Sequence, residues 1–134
     1  MAKLYPYIFS NDARKQAEFY VHALKGEIIN VQTYSDAPNA AAEEIKDKVM
    51  HLVFQVAGIH FFMADSVMEP VQSGNQMDLT LEFETEEAAR NAFENLSNEG
   101  NVLMPFEKMF WGSMFGRLED SFGVRWQITT KMDN

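Results

Sequence analysis

The feature that most constrains the fold of this chain is an internal duplication. A strand-like segment, a helix-like segment and further strand-like segments follow one another twice, and residues 9–26 superpose on residues 83–100 at an offset of 74 positions. The helix patterns fit a neighbouring offset slightly better. Both runs end in a glycine, Gly26 and Gly100, which is typical of a helix stop. The sequence therefore predicts two copies of one supersecondary unit.

Each copy contains one predicted helix. The first has Asn11 or Asp12 as its N-cap and runs to about Leu24. The second follows Thr85, a good N-cap, and carries acidic residues at the positive end of its dipole. Residues at helical spacing form the predicted buried stripes, which are Ala13, Ala17, Tyr20 and Leu24 in the first helix and Ala89, Ala92, Phe93 and Leu96 in the second.

Alternating or continuous apolar runs predict the strands. Pro6 indicates that the first strand lies at an edge or begins there, and Ala57-Gly58 is a hairpin-like link. The predicted strands are residues 4–9, 27–34, 50–56, 60–64, 78–83, a segment near Val102, residues 115–118 and residues 124–130.

These elements predict an α+β fold of two βαβββ modules, at about residues 1–66 and 77–134, in a single domain over residues 1–134. Two such modules side by side would form a cupped mixed sheet with helices outside and a ligand pocket inside. Residues 35–48 are either a lid or short helix over this cup, or a solvated connector. Residues 67–76 are expected to be a linker whose role is its length.

Composition excludes several classes of function. The chain has 20 acidic and 11 basic residues, a net charge of −9, so we expect no nucleic-acid partner. The longest apolar stretch, residues 51–64, is too short to cross a bilayer, so no membrane association is expected. The absence of cysteine removes disulfides and thiolate chemistry and fits a cytoplasmic location. The chain also lacks the serine-nucleophile, phosphate-loop and dinucleotide motifs.

Several motifs together resemble a known family. They are PYIF, AEFY, LKGE, VMHLVFQVAGIHFFMADS, LTLEFETEEAARNAFENLSNEG and MFWGSMFGRLEDSFGVRWQI, and they span nearly the whole chain. The most specific piece is the Trp-Gly, Gly-Arg and Asp-Ser-Phe-Gly-Val-Arg-Trp series over residues 111–126. This set is similar to the PhnB-like branch of the vicinal-oxygen-chelate superfamily, which contains glyoxalases, bleomycin-resistance proteins and dioxygenases. The resemblance implies the two-module fold and a homodimer.

The resemblance also implies four positions for a divalent metal ion. They correspond here to Tyr5 or Tyr7, His51, Asp78 and Gln127. His51 and Asp78 are suitable ligands, whereas tyrosine and glutamine suit the borderline metals poorly, and an open catalytic site usually needs three good ligands. The predicted metal site, His51 with Asp78, is therefore incomplete. His51 has two other interpretations, as a pocket residue or as a structural histidine.

Two main hypotheses for function follow. In the first, the protein binds a small molecule without turnover and needs no cofactor, and polar or aromatic side chains on the inner faces of the strands hold the ligand. These predicted ligand-binding residues are Tyr5, Tyr7, His51, Gln55, Trp111, Arg125 and Gln127. In the second, the protein is a metal-dependent lyase, isomerase or dioxygenase, for which no catalytic residue is assigned. A scaffold that acts only through protein contacts is a third possibility.

Overall fold

The computed structural model describes residues 1–37 and 42–131, and the predicted lid segment therefore lies partly outside the described residues. The elements in chain order are β1 (Tyr7–Ser10), α1 (Ala13–Ala23), β2 (Glu27–Thr33), a 3₁₀ turn (Tyr34–Asp36), β3 (Val49–Val56), β4 (Ile59–Asp65), β5 (Leu79–Phe83), α2 (Glu86–Ser97), β6 (Asn101–Lys108), β7 (Met114–Glu119) and β8 (Arg125–Thr130). Among the described residues, neither helix has the length and apolar composition needed to cross a membrane.

The chain forms two compact units, an N-terminal unit of residues 1–72 and a C-terminal unit of residues 73–134. The N-terminal unit contains one four-stranded sheet in the order β1-β4-β3-β2, and the C-terminal unit contains one in the order β5-β8-β7-β6. In each sheet the first strand pairs parallel with the last, and the other pairs are antiparallel. The predicted α+β fold, built from two βαβββ modules with mixed sheets, is confirmed.

The core of the N-terminal unit lies between α1 and one face of its sheet. Tyr20 is fully buried and stacks on Phe54 of β3, with 5.8 Å between the ring centroids. Asp12 caps the helix as predicted, because its carboxylate accepts a hydrogen bond from the Lys15 amide at 3.2 Å. The predicted stripe is confirmed except at its end, where Ala23 is buried and Leu24 is only half-buried.

The core of the C-terminal unit is built in the same way. The predicted stripe of α2 is buried in full, and Thr85 caps the helix by accepting a hydrogen bond from the Ala88 amide at 3.1 Å. Trp126 of β8 is fully buried, and its indole N–H donates to the buried Asp120 carboxylate at 2.8 Å. Asp120 also accepts from the amides of Phe122 and Val124, so this carboxylate fixes the β7–β8 turn.

Two predicted strands, β1 and β6, differ from the structure by more than one residue at an end. β1 begins at Tyr7 and not at residue 4, directly after Pro6, whose missing N–H limits sheet pairing at that position. β6 is longer than the predicted segment near Val102, and it includes Pro105. It is an edge strand whose pairing with β7 shifts register twice, which accommodates a proline.

The helix-ending glycines serve a purpose other than the predicted one. The left-handed backbone conformation belongs to the preceding residues, Lys25 (φ 56°) and Glu99 (φ 61°). Gly26 and Gly100 instead allow close approach of two strands, because a Cβ on Gly26 would overlap the Gln55 carbonyl oxygen and one on Gly100 would overlap that of Glu119. The two copies therefore share a steric requirement at equivalent positions.

Candidate functional site

One face of the N-terminal sheet carries the core, and the opposite face carries aromatic side chains. Tyr5 stacks on Phe62 with 4.7 Å between ring centroids, and Tyr7 lies 5.1 Å from Phe9. The His51 imidazole lies 5.2 Å from the Phe62 ring and 5.9 Å from the Tyr7 ring. The structure thus brings together three of the predicted site residues, Tyr5, Tyr7 and His51, on what we call the aromatic face.

A cavity of about 610 Å³ opens at one edge of the aromatic face. Its volume falls within the range of about 300–1,000 Å³ that is usual for small-molecule sites. Tyr7 and Phe9 are 45% and 59% exposed, so their rings are available to an occupant. The side chains and loop that form this aromatic cavity are Tyr7, Phe9, Tyr34, Met50, Ala64 and residues 65–72.

The wall formed by residues 65–72 is fixed by hydrogen bonds. The Ser66 amide donates to the Ser10 carbonyl at 2.8 Å, and the Val71 amide donates to the Asn11 side chain at 3.2 Å. Within the loop, the Ser66 hydroxyl donates to the Glu69 carbonyl. Residues 67–72, the first part of the segment predicted to serve only as a linker, therefore form one side of the cavity, and hydrogen bonds hold this side in place.

Asp65, at the end of β4, connects the start of the cavity-lining loop to α1 and β3. One carboxylate oxygen accepts from the Ala13 amide at the start of α1, and the other accepts from the Val49 amide at the start of β3, both at 2.7 Å. A carboxylate at a helix N-terminus is stabilised by the helix dipole. Asp65 is in register with buried Ser10, so its carboxylate lies on the core face of the sheet, where it positions two elements and points away from the aromatic face.

Tyr7 is the predicted site residue that lines the cavity. Burial raises the pKa of the Tyr7 phenol, and the nearby Tyr34 phenol raises it further. Tyr7 therefore stays neutral at physiological pH, with a phenol available for hydrogen bonding and a ring available for stacking.

A polar cluster occupies the non-core face of the C-terminal sheet. Asp78, directly before β5, accepts a hydrogen bond from Arg117 at 2.7 Å and one from Gln127 at 3.0 Å. The Arg117 hydrogen bond lowers the pKa of Asp78 most strongly, with a smaller contribution from Gln127, although burial opposes them. Thr80 donates to Gln127 at 3.4 Å. The structure therefore joins the predicted residues Asp78 and Gln127 directly, and Arg117 binds the same carboxylate.

The other predicted site residues make further contacts, and the Arg125 charge also lowers the pKa of Asp78. Gln55 lies at the far end of β3 beside the Ala57-Gly58 turn and outside the aromatic cavity. Arg125 pairs with Glu119 at 3.0 Å. Trp111 is partly exposed and packs edge-on against Phe110 and Phe115. Arg125 and Trp111 thus make local contacts within the C-terminal unit.

The donor set does not fit a catalytic metal ion. Among residues 1–37 and 42–131, no three His, Cys, Asp or Glu side chains are grouped as a metal site requires. The Asp78 carboxylate is already bound to a guanidinium and an amide. His51 is surrounded by the rings of Tyr7 and Phe62, which are poor or incapable ligands.

Sequence analysis missed several residues of both groups. Phe9 could have been found, because it follows Tyr5 and Tyr7 at the period of a strand and so shares their face. Arg117 likewise follows Phe115 at the period of a predicted strand and so shares its face. Tyr34, Met50 and the 65–72 loop gave no comparable signal, since their placement depends on the bulge in β3 and on loop hydrogen bonds.

Comparisons with known proteins agree with this architecture. The structure of PA1353 from Pseudomonas aeruginosa is 27% identical with a TM-score of 0.85, and the match covers 99% of this chain and 100% of that one. A putative 3-demethylubiquinone-9 3-methyltransferase, PhnB protein, from Bacillus cereus is 28% identical with a TM-score of 0.78, covering 97% and 100%. Protein YjdN of Escherichia coli K12 is 24% identical, covering 93% of this chain and 92% of YjdN.

The fold is also shared by a more distant protein. A fosfomycin resistance protein, FosX, from Listeria monocytogenes, solved with Mn(II) and a dihydroxypropylphosphonic acid, is 11% identical with a TM-score of 0.67 over 100% of this chain and 94% of that one. The family model described as 3-demethylubiquinone-9 3-methyltransferase matches residues 3–129. The chain therefore belongs to this PhnB-like family and has the fold of the vicinal-oxygen-chelate superfamily.

Proposed function

We propose that this protein binds a small molecule in the aromatic cavity of its N-terminal unit. The observation that carries the proposal is the 610 Å³ opening lined by Tyr7, Phe9 and Tyr34 and closed on one side by an anchored loop. Aromatic rings supply a large contact area with few rotatable bonds, so they bind flat or apolar ligands at a low entropic cost. His51 supports this wall from outside the cavity through its contact with Tyr7.

No observation favours the metal-dependent alternative over binding. Mn(II) is present in the FosX structure. A comparable metal site here would need three ligands, but the Asp78 carboxylate already accepts from Arg117 and Gln127, and His51 lies beside aromatic rings. Methyl transfer, which the family's description names, would need a site for a methyl donor, and the sequence has no glycine-rich loop of that kind. The homodimer and the cytoplasmic location remain predictions.

Binding can be tested with N-phenyl-1-naphthylamine, a neutral dye whose fluorescence rises in apolar surroundings. We expect a saturable increase with the wild-type protein and a Kd raised about tenfold or more in the variant with Tyr7→Ala and Phe9→Ala, since each lost stacking contact contributes about 0.5–1.5 kcal/mol. Both rings are half-exposed, so their removal leaves the core intact.

The matched control is Phe110→Ala, which removes an aromatic ring that is 97% exposed in the C-terminal unit. This variant should bind the dye as the wild type does. Equal affinity in the wild type and the double variant would show that the cavity is not the binding site.

A further inference from the structure

The charged groups of the aromatic cavity have one sign. Asp65 and Glu69 are acidic, and none of the described residues that line the cavity is Lys, Arg or His. The described lining therefore combines aromatic rings with acidic residues and has no basic one.

The two carboxylates differ in their surroundings. The Asp65 carboxylate is held on the core face of the sheet by two backbone amides, as described above, so its charge does not face the aromatic rings. Glu69 is exposed on the anchored loop, and its backbone carbonyl accepts from Ser66, which fixes where its side chain begins. Glu69 is thus the carboxylate that an occupant of the cavity can meet, and it lies at the rim.

Aromatic faces and carboxylates attract the same kind of ligand. The negative face of a phenol or phenyl ring binds a cation within about 6 Å of its centre, and Tyr7 and Phe9 lie 5.1 Å apart with their rings inclined by 34°. Two methionines, Met50 and Met68, add polarisable surface. The protein's net charge of −9 also attracts cations and repels anions at a distance.

We infer that the occupant of the aromatic cavity is a small organic cation, an amine or quaternary ammonium group joined to an apolar body. The inference rests on the proposed function and specifies its ligand class. The cationic group lies against Tyr7, Phe9 and the Glu69 carboxylate, and the apolar body contacts Tyr34, Met50 and the loop. An anionic ligand would meet the Glu69 carboxylate with no basic partner in the described lining.

Three compounds with the same ring and different charge test this inference. They are the 1-naphthylmethylammonium cation, neutral 1-naphthylmethanol and the anion 1-naphthoate, each measured by displacement of N-phenyl-1-naphthylamine from the wild-type protein. We expect the cation to bind about fivefold more tightly than the alcohol and the anion to bind most weakly. Added salt should weaken binding of the cation and leave that of the alcohol nearly unchanged.

The variant Glu69→Gln assigns the preference to the cavity. We expect it to weaken binding of the cation about threefold and to leave binding of the alcohol unchanged. The control Glu87→Gln removes an equal charge from the exposed start of α2 and should leave the cation's affinity unchanged.

The outcomes separate the two proposals. If the dye binds in the cavity but the alcohol displaces it as well as the cation does, the ligand class is wrong and the proposed function stands. An undiminished preference for the cation in Glu69→Gln would likewise overturn the inference. If the dye binds equally to the wild type and to the variant without Tyr7 and Phe9, both proposals are wrong.

Discussion

Asp78 shows how the surroundings of a single residue decide its role. It has the chemistry of a metal ligand, and the resemblance placed it at a ligand position. In the structure, the carboxylate accepts from Arg117 and Gln127 across two neighbouring strands, and these bonds lower its pKa. The residue therefore joins β5 to the rest of its sheet, and its measurable effect should be on stability.

Replacing Asp78 by Asn should give a pH-dependent loss of stability. Because the folded-state pKa of Asp78 lies below its value in the unfolded chain, the stabilisation is fully present above about pH 4 and is lost as the pH falls through the folded-state pKa. We expect Asp78→Asn to lower the urea midpoint at pH 7, and we expect its difference from the wild type to shrink towards pH 3.

The control for this series is Glu82→Gln, which removes a carboxylate from an exposed position on β5. Its midpoint should stay close to that of the wild type. A difference between Asp78→Asn and the wild type that is constant from pH 7 to pH 3 would contradict the assigned role.

Sequence patterns predicted which residues share a face better than they predicted which residues meet. The alternation of β8 correctly placed Arg125 and Gln127 opposite buried Trp126, but it did not show that Glu119 pairs with Arg125. A strand period fixes the side of the sheet, whereas a partner depends on the register between strands. Most predicted site residues were thus placed on a face, and the cavity itself was not predicted.

Among the secondary-structure elements, the offset of 74 residues between the two copies is kept where two backbones approach closely. Gly26 and Gly100 stand 74 positions apart at the starts of β2 and β6, whereas the buried helix positions Ala13 and Ala89 stand 76 apart. Both helices end three residues before their glycines, at Ala23 and Ser97, so the helix ends keep the offset of 74 while the buried positions do not. The glycine cannot drift, because a neighbouring strand's carbonyl lies where its Cβ would be.

The close approach of these strands predicts that Gly26→Ala strongly destabilises the folded protein. Its Cβ would overlap the Gln55 carbonyl oxygen and lie 2.6 Å from Val56 Cγ1, so β2 and β3 would have to separate. We expect the free energy of unfolding to fall by about 2–4 kcal/mol, measured by urea unfolding. Gly74→Ala, which meets nothing within 4 Å, should change it by less than about 0.5 kcal/mol.

The elements themselves were largely predictable. Short-range signals predicted both N-caps, both helices and the succession of eight strands along the chain, because capping and amphipathic periodicity act within a few residues. The errors concern β1 and β6, each an edge strand of its sheet that lies next to or contains a proline. Pairing at an edge depends on the neighbouring strand, which local sequence does not contain.

For the molecule as a whole, the prediction that residues 1–134 form a single domain remains to be tested. Each unit has its own helix, sheet and buried core. In a single domain of this size, unfolding is expected to be one cooperative transition. Both tryptophans, Trp111 and Trp126, belong to the C-terminal unit, so their fluorescence reports that unit alone.

A core substitution in the N-terminal unit tests this cooperativity. Leu52, on β3, is fully buried, and Leu52→Ala should destabilise its own unit by about 2–5 kcal/mol. If the chain is one domain, the tryptophan transition moves to lower urea together with the far-UV circular dichroism transition. The control Leu4→Ala, at a position that is 89% exposed, should move neither.

The opposite result is equally specific. If the two units unfold independently, Leu52→Ala leaves the tryptophan midpoint unchanged and splits the circular dichroism transition into two steps. Ligand binding in the aromatic cavity would then stabilise only the N-terminal unit, because binding stabilises the part that holds the ligand. If the chain unfolds in one cooperative transition, ligand binding stabilises both units together. Added ligand would then raise the urea midpoint reported by the fluorescence of Trp126 in the C-terminal unit.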